Sequence, residues 1–141
     1  MHRVAIILIL VAATVAGAVD KKGTIAELKA RFESAKPKDQ IELAVVIAER
    51  QLAVCQEEFG AGMNDKAQAA LEDVQTYGVR AAKLATSTGK RMKKTEIGLR
   101  KISDRLEEMA KSLDLELRPP VQDAHKQLEI ARNDLLFRMF K

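Results

Sequence analysis

Cys55 and His125 are the two residues of this 141-residue sequence whose types could enter catalysis near neutral pH outside the first few positions. A cysteine becomes a nucleophile when an adjacent base takes its proton and a third group orients that base. Cys55 stands between Leu52 and Phe59 on an apolar stripe, His125 lies on a distant segment, and no acidic orienter accompanies it. The spacing predicts a buried thiol that packs as a small hydrophobe. An interchain disulfide in an oxidising compartment is the alternative, and a lone cysteine excludes an intrachain bridge.

Metal and haem chemistry fare no better. No Cys-x-x-Cys-His attachment motif is present, so a haem would need His125 with Met63, Met92 or Met109 as its axial pair. A carboxylate di-metal bundle needs Glu-x-x-His pairs, whereas Gln122-Asp123-Ala124 precede His125. Met92 and Met109 fall on a packing stripe and read as core rather than copper ligands. Phosphate-cradling glycine loops and nucleophile elbows are absent from the sequence. The expectation is a non-enzymatic protein with no cofactor and no metal.

Charge is the uneven feature. Arg80, Lys83, Lys90, Arg91, Lys93, Lys94, Arg100 and Lys101 face the single acid Glu96, a net +7 in 22 residues. From residue 19 onward 23 cations meet 20 acids, so everything outside that stretch sums to −4. A solvated helical surface explains much of this. A basic belt between acidic ends would also attract anionic lipid, acidic glycan or an acidic protein. With only Tyr77 interleaved, single-stranded nucleic acid is poorly served. Leu135, Leu136, Phe137, Met139 and Phe140 form an apolar carboxyl end and a second candidate contact surface, for a protein partner.

The elements that would hold these groups are helical. Residues 67–113 carry apolar or small side chains in a 4-3-4-3 alternation: Ala67, Leu71, Val74, Gly78, Ala81, Ala85, Thr88, Met92, Thr95, Leu99, Ile102, Leu106, Met109 and Leu113. A 3.5-residue period keeps this stripe on one helical face, as in a coiled coil, and other helices must cover it. Thr86-Ser87-Thr88-Gly89 are poor helix formers, yet the phase runs through them without a skip. The spacing therefore predicts one long helix over about 64–115, bent at Gly89.

Shorter helices flank it. Thr24-x-x-Glu27 reads as a capping box opening a helix with Ile25, Leu28, Phe32 and Ala35 on one side, stopped at Lys36-Pro37. Asp39-x-x-Glu42 reads as a second box, for a helix on Ile41, Val45, Ala48, Leu52, Cys55 and Phe59 that ends at Gly60-Ala61-Gly62. Pro119 should force Arg118 out of the helical region, and Pro119-Pro120 suit the first turn of a last helix on Val121, Ala124, Leu128, Ala131 and Leu135. The fold class is all-α: an elongated antiparallel helical bundle forming one domain over residues 19–141. Half-covered ends of the long helix would favour a homodimer.

The first residues read as an address. Met1-His2-Arg3 is short and basic, Val4 to Ala18 is apolar, and Ala16-Gly17-Ala18 offers small residues before a cut at Val19. As a helix that run spans only about 22 Å at 1.5 Å per residue, short of a ~30 Å bilayer core. It predicts a signal peptide over residues 1–18 and a secreted or periplasmic protein. An uncleaved amino-terminal anchor is the alternative.

Overall fold

Thr24 caps the first helix: its hydroxyl accepts from the Glu27 N–H at 3.1 Å as expected, whereas Glu27 Oε1 accepts from that hydroxyl at 3.2 Å in place of a backbone N–H. The computed structural model describes residues 19–141; the proposed leader, 1–18, lies outside the described residues. Five α-helices follow: α1 (Ile25–Ser34), α2 (Pro37–Gly60), α3 (Asn64–Thr88), α4 (Met92–Ser112) and α5 (Arg118–Met139), with a 3₁₀ turn at Leu115–Leu117 before α5. No strand occurs among the described residues. The all-α bundle is thus shown.

The continuous helix over 64–115 is not. Gly89 leaves the helix at φ +69° in the left-handed region, its N–H bonded to the Ala85 carbonyl as a C-cap. The three hydroxyl residues before it turn inward on the backbone. Thr86 Oγ1 donates to the Ala82 carbonyl at 2.8 Å, Thr88 Oγ1 to the Leu84 carbonyl at 2.6 Å, and Ser87 Oγ to the same carbonyl at 3.2 Å. Thr88 Oγ1 also accepts from the Lys90 N–H at 3.2 Å, closing the turn. Such side-chain bonds compete with helical propagation. Arg91 is left-handed as well, at φ +55°, and α4 starts after it.

The chain therefore reverses between Thr88 and Met92. Folding back covers the stripe internally, so the half-covered ends that would have favoured a second copy are gone. Two smaller expectations also change. α2 starts at Pro37, two residues before Asp39, so its N-cap is Lys36, whose side chain makes no cap hydrogen bond, and Glu42 turns to Arg91 and Lys94. Arg118 adopts a helical φ −71°, ψ −40° despite Pro119, with its guanidinium held by the Leu113 carbonyl at 2.8 Å.

Contacts fix the directions of the helices. Gly98 on α4 meets Val45 on α2, and Cys55 Sγ lies 4.0 Å from Met109 Sδ, so α2 and α4 run parallel. Arg132 on α5 bonds Glu96 near the start of α4, and Arg138 bonds the Thr86 carbonyl near the end of α3. Hence α5 is antiparallel to α4 and parallel to α3. The hairpins α2–α3 and α4–α5 stack on one another, chiefly through α3 against α5, and α1 packs on α2.

One apolar core fills the interior. The seams converge there: Leu28 and Phe32 from α1, Ile41, Ile47 and Leu52 from α2, Val74 from α3, Leu99, Ile102 and Leu106 from α4, and Val121, Leu128 and Leu135 from α5. Phe32 meets Tyr77 edge-on with ring centroids 5.4 Å apart. Alanines at 44, 48, 67, 81, 82 and 85 let the α2–α3 pair close tightly.

Cys55 is fully enclosed in this core, and burial pushes its thiol up to about 11. The desolvated thiolate is the disfavoured form. In the native protein, modification by a disulfide reagent at pH 8 should run at least roughly a hundredfold slower than in urea, as a two-unit pKa shift implies. Rapid native labelling, or an interchain disulfide dimer on non-reducing gels, would contradict the enclosed position.

Candidate functional site

The reversal at Gly89 moves the basic segment from the middle of a rod to one end of the bundle. Residues on both sides of the turn, Lys90 and Lys93, become its tip. The same end receives the first turns of α2, with Lys36 and Lys38, because Glu42 reaches Arg91 and Lys94. It also receives the last turns of α5, because Arg138 docks on Thr86 and lies beside Gly89. Two surfaces read separately from the sequence, the basic stretch and the apolar carboxyl end, thus meet in one place.

Within that end the eight cations divide. Arg91 Nε stands 3.1 Å and Lys94 Nζ 3.5 Å from Glu42 Oε1, whose side chain is 5% exposed. That pairing helps hold the left-handed Arg91, a backbone state costing of order 1–3 kcal/mol for a residue with a Cβ. Arg80 lies over the Phe32 ring at 4.6 Å and 3.9 Å from Glu33. Arg100 reaches Glu96 at 3.4 Å. Lys83, Lys90, Lys93 and Lys101 are exposed and make no ion pair among the described residues. Arg91 is therefore a half-buried structural cation, and the outward charge rests chiefly on the lysines. They do not form a stripe. Lys83 borders the α3–α5 groove and Lys101, at mid-height on α4, the α2–α4 groove, while Lys36 and Lys38 are exposed at the start of α2, so the outward charge is spread over several faces.

The apolar carboxyl end divides too. Leu135 is fully buried, a correction to its place among contact residues; it is the last seam position of α5. Leu136 and Met139 are half-buried, Met139 against the core. Phe137 and Phe140 are 76% and 82% exposed. Their placement three apart at the end of α5 puts both rings outside the seam, separated by Arg138 and followed by Lys141.

Charge is segregated along the bundle. The half built from residues 33–42, 80–101 and 132–141 holds thirteen cations and five acids, net +8. The segments 49–73 and 104–129 hold six cations and thirteen acids, net −7, and residues 19–32, with Lys29 paired to Asp73, add four cations and two acids. Sequence reasoning found +7 in one segment but missed Lys36, Lys38, Arg138 and Lys141, which only the topology brings alongside.

Elsewhere the surface offers little for catalysis. The α2–α4 groove encloses about 170 Å³ and mixes Lys21, Lys94 and Lys101 with Glu42 and Glu49 around Thr95. A groove of about 300 Å³ between α4 and α5 holds His125, whose Nε2 is 4.0 Å from Glu107 Oε2, with Lys111, Arg118 and Gln122. An imidazole beside a carboxylate could pass a proton, but no Ser, Cys or Thr lines that groove to serve as nucleophile. Among the described residues no group of three or more His, Cys, Asp or Glu side chains is placed to hold a metal ion. No described helix is long and apolar enough to cross a membrane. No family model, curated protein or solved structure matches the chain.

Proposed function

We propose that this chain is an exported, non-enzymatic helical bundle that works by contact, as a scaffold, adaptor or assembly factor of a cell envelope. The observation that carries this reading is the pair Phe137 and Phe140, left in water while Phe32 and Tyr77 are buried and Phe59 is half-buried. Exposed aromatics at one edge of a packed domain mark an interaction surface. The apolar run from Val4 to Ala18 supports export, with cleavage between Ala18 and Val19 and an uncleaved anchor as the alternative. A second reading, binding to an anionic membrane or envelope surface, is favoured by the outward Lys83, Lys90 and Lys93 toward the same end. A small-ligand or haem carrier is the weakest option, because the groove that holds His125 is lined chiefly by polar side chains, Glu107, Lys111, Arg118 and Gln122.

Native mass spectrometry of protein purified from its own host tests the class. The expected mass is that of the bare polypeptide beginning at Val19; a retained small molecule or metal would reject the contact reading. A photo-crosslinking residue at position 137 should trap a partner in intact cells that the same residue at 115, on the opposite end, does not. Equal trapping at both positions would reject the assigned surface.

A further inference from the structure

We infer that the tip formed by the α3–α4 turn and the end of α5 docks end-on onto an anionic lipid bilayer, with Phe137 and Phe140 entering the interfacial layer. This inference deepens the contact reading, on which it rests, by naming the partner and the orientation.

Three observations converge on it. First, the exposed rings stand among cations: Arg138 lies between them, Lys141 follows, and Lys90 adjoins Gly89, where the Arg138 guanidinium lies. Aromatic side chains within a basic cluster match a headgroup region, which is anionic at its surface and apolar a few ångströms below. Second, the outward cations at the end come from several elements, with Lys36 and Lys38 on α2, Lys90 in the turn, Lys93 on α4 and Lys141 after α5, and do not line one groove. That layout suits a flat, laterally mobile array of charges better than one acidic segment. Third, the segments 49–73 and 104–129 carry net −7. Near an anionic plane the +8 half is drawn in and the −7 segments are pushed away, so the bundle stands on its basic end. Two amino termini (α2, α4) and three carboxyl termini (α1, α3, α5) share the tip, so the helix dipoles leave at most about half a negative charge there, small against the net +8 of that half.

Side-on binding by a lengthwise belt is the geometry a continuous long helix would have required. The Gly89 reversal excludes it by collecting the cations at the end. The acidic half would then project from the membrane, available to other partners.

Single-tryptophan reporters read the orientation directly, since the chain has no Trp. Phe137→Trp places one at the tip, and Leu115→Trp places one at the other end, where Leu115 is also exposed. The full chain carrying each change is mixed with vesicles of phosphatidylcholine containing about a third phosphatidylglycerol, with and without brominated acyl chains. The expected result is a blue shift and bromine quenching at position 137 and neither at 115. Binding should fall at least roughly tenfold between 50 and 300 mM salt, because exposed charges are screened beyond a Debye length. Lys90→Glu/Lys93→Glu and, separately, Phe137→Ser/Phe140→Ser should each weaken binding by about tenfold or more with an unchanged helical circular dichroism spectrum; both pairs are surface positions, so folding is spared.

Quenching at both positions, quenching at 115 alone, or binding indifferent to salt would overturn the proposal. So would no binding at low salt. Those results leave the contact reading standing for an acidic protein partner, whereas a retained cofactor in the native mass would remove the contact reading itself.

Discussion

Leu128→Ala should lower the unfolding free energy by about 2–5 kcal/mol, the range for removing a fully buried leucine, and it should also reverse the effect of a second substitution. Leu128 is completely enclosed where α5 crosses α3, and a Cβ placed on Gly78 would lie only 2.4 Å from Leu128 Cδ2. Leu99 from α4 bounds the same space at 3.7 Å, an ordinary contact. In the native background, Gly78→Ala must push the leucine methyl into a filled core and should destabilise by about 1–3 kcal/mol. Part of that cost is offset by alanine's better helical propensity, worth up to about 1 kcal/mol. In the Leu128→Ala background the obstructing methyl is gone. The added Cβ then enters the vacated space and the propensity gain remains, so the same Gly78→Ala change should stabilise. Urea midpoints at unchanged slope measure all four proteins of this cycle. Additive effects would show that α3 and α5 are not in close contact at this crossing.

The glycine is legible in the sequence only as a seam position, and that is the general pattern. Every predicted stripe residue from Ala67 to Leu113 is buried or half-buried, so the periodicity located the core face correctly. It misled about continuity. α3 and α4 each present a 3.5-period stripe to the same interior, and the three-residue turn of Gly89, Lys90 and Arg91 makes Met92 the fourth position after Thr88. Four is a heptad step, so phase survives a reversal that it was expected to forbid. The local chemistry outweighed it: three consecutive hydroxyl residues that bond back to carbonyls, then a glycine able to take φ +69°. Periodicity reports which face is buried, while caps and left-handed residues report where a helix stops.

The candidate site was legible in its parts and not in its assembly. Composition alone revealed the cationic stretch, and hydropathy revealed the apolar carboxyl end. Neither says that Phe137 lies at the same end as Lys90, because that depends on the Gly89 reversal and on α5 running parallel to α3. The acid partners were equally hidden. Glu42 reads as a capping residue in sequence, yet it sits buried beside Arg91 from the turn before α4, far along the chain. Ion pairs between distant segments have no spacing rule, so the division of the eight cations into paired and outward ones needed the fold.

Arg132 shows how much such a pair can matter, and it carries the other large expected effect. Its Nη1 donates to Glu96 Oε2 at 2.7 Å, while Nε and Nη2 fork onto the two oxygens of Glu129 at 2.7 and 3.3 Å. The Glu96 side chain is only 10% exposed. Removing the guanidinium strands a mostly buried carboxylate, which costs about 3–5 kcal/mol when no other partner remains. Arg100 stays within 3.4 Å of Glu96 from a half-exposed position, so Arg132→Ala should fall near the lower bound, about 3 kcal/mol. Arg132→Met with Glu96→Leu should recover most of that loss, because the desolvated charge is removed with its partner.

The pH dependence has a definite sign. The Arg132 hydrogen bond, ahead of burial acting in the opposite direction, holds Glu129 below the ordinary carboxylate range. A lowered folded-state pKa stabilises above the unfolded value, roughly 4.3, and that contribution is lost as pH falls through the folded value. Native protein should therefore lose stability as pH drops from 5 toward 3, and Arg132→Ala should lose less over the same interval. Urea unfolding at several pH values measures both slopes. An equally steep acid limb in the variant would mean that Glu129 draws its stabilisation from elsewhere, and a loss at neutral pH under about 1 kcal/mol would mean that Glu96 is solvated well enough to need no guanidinium.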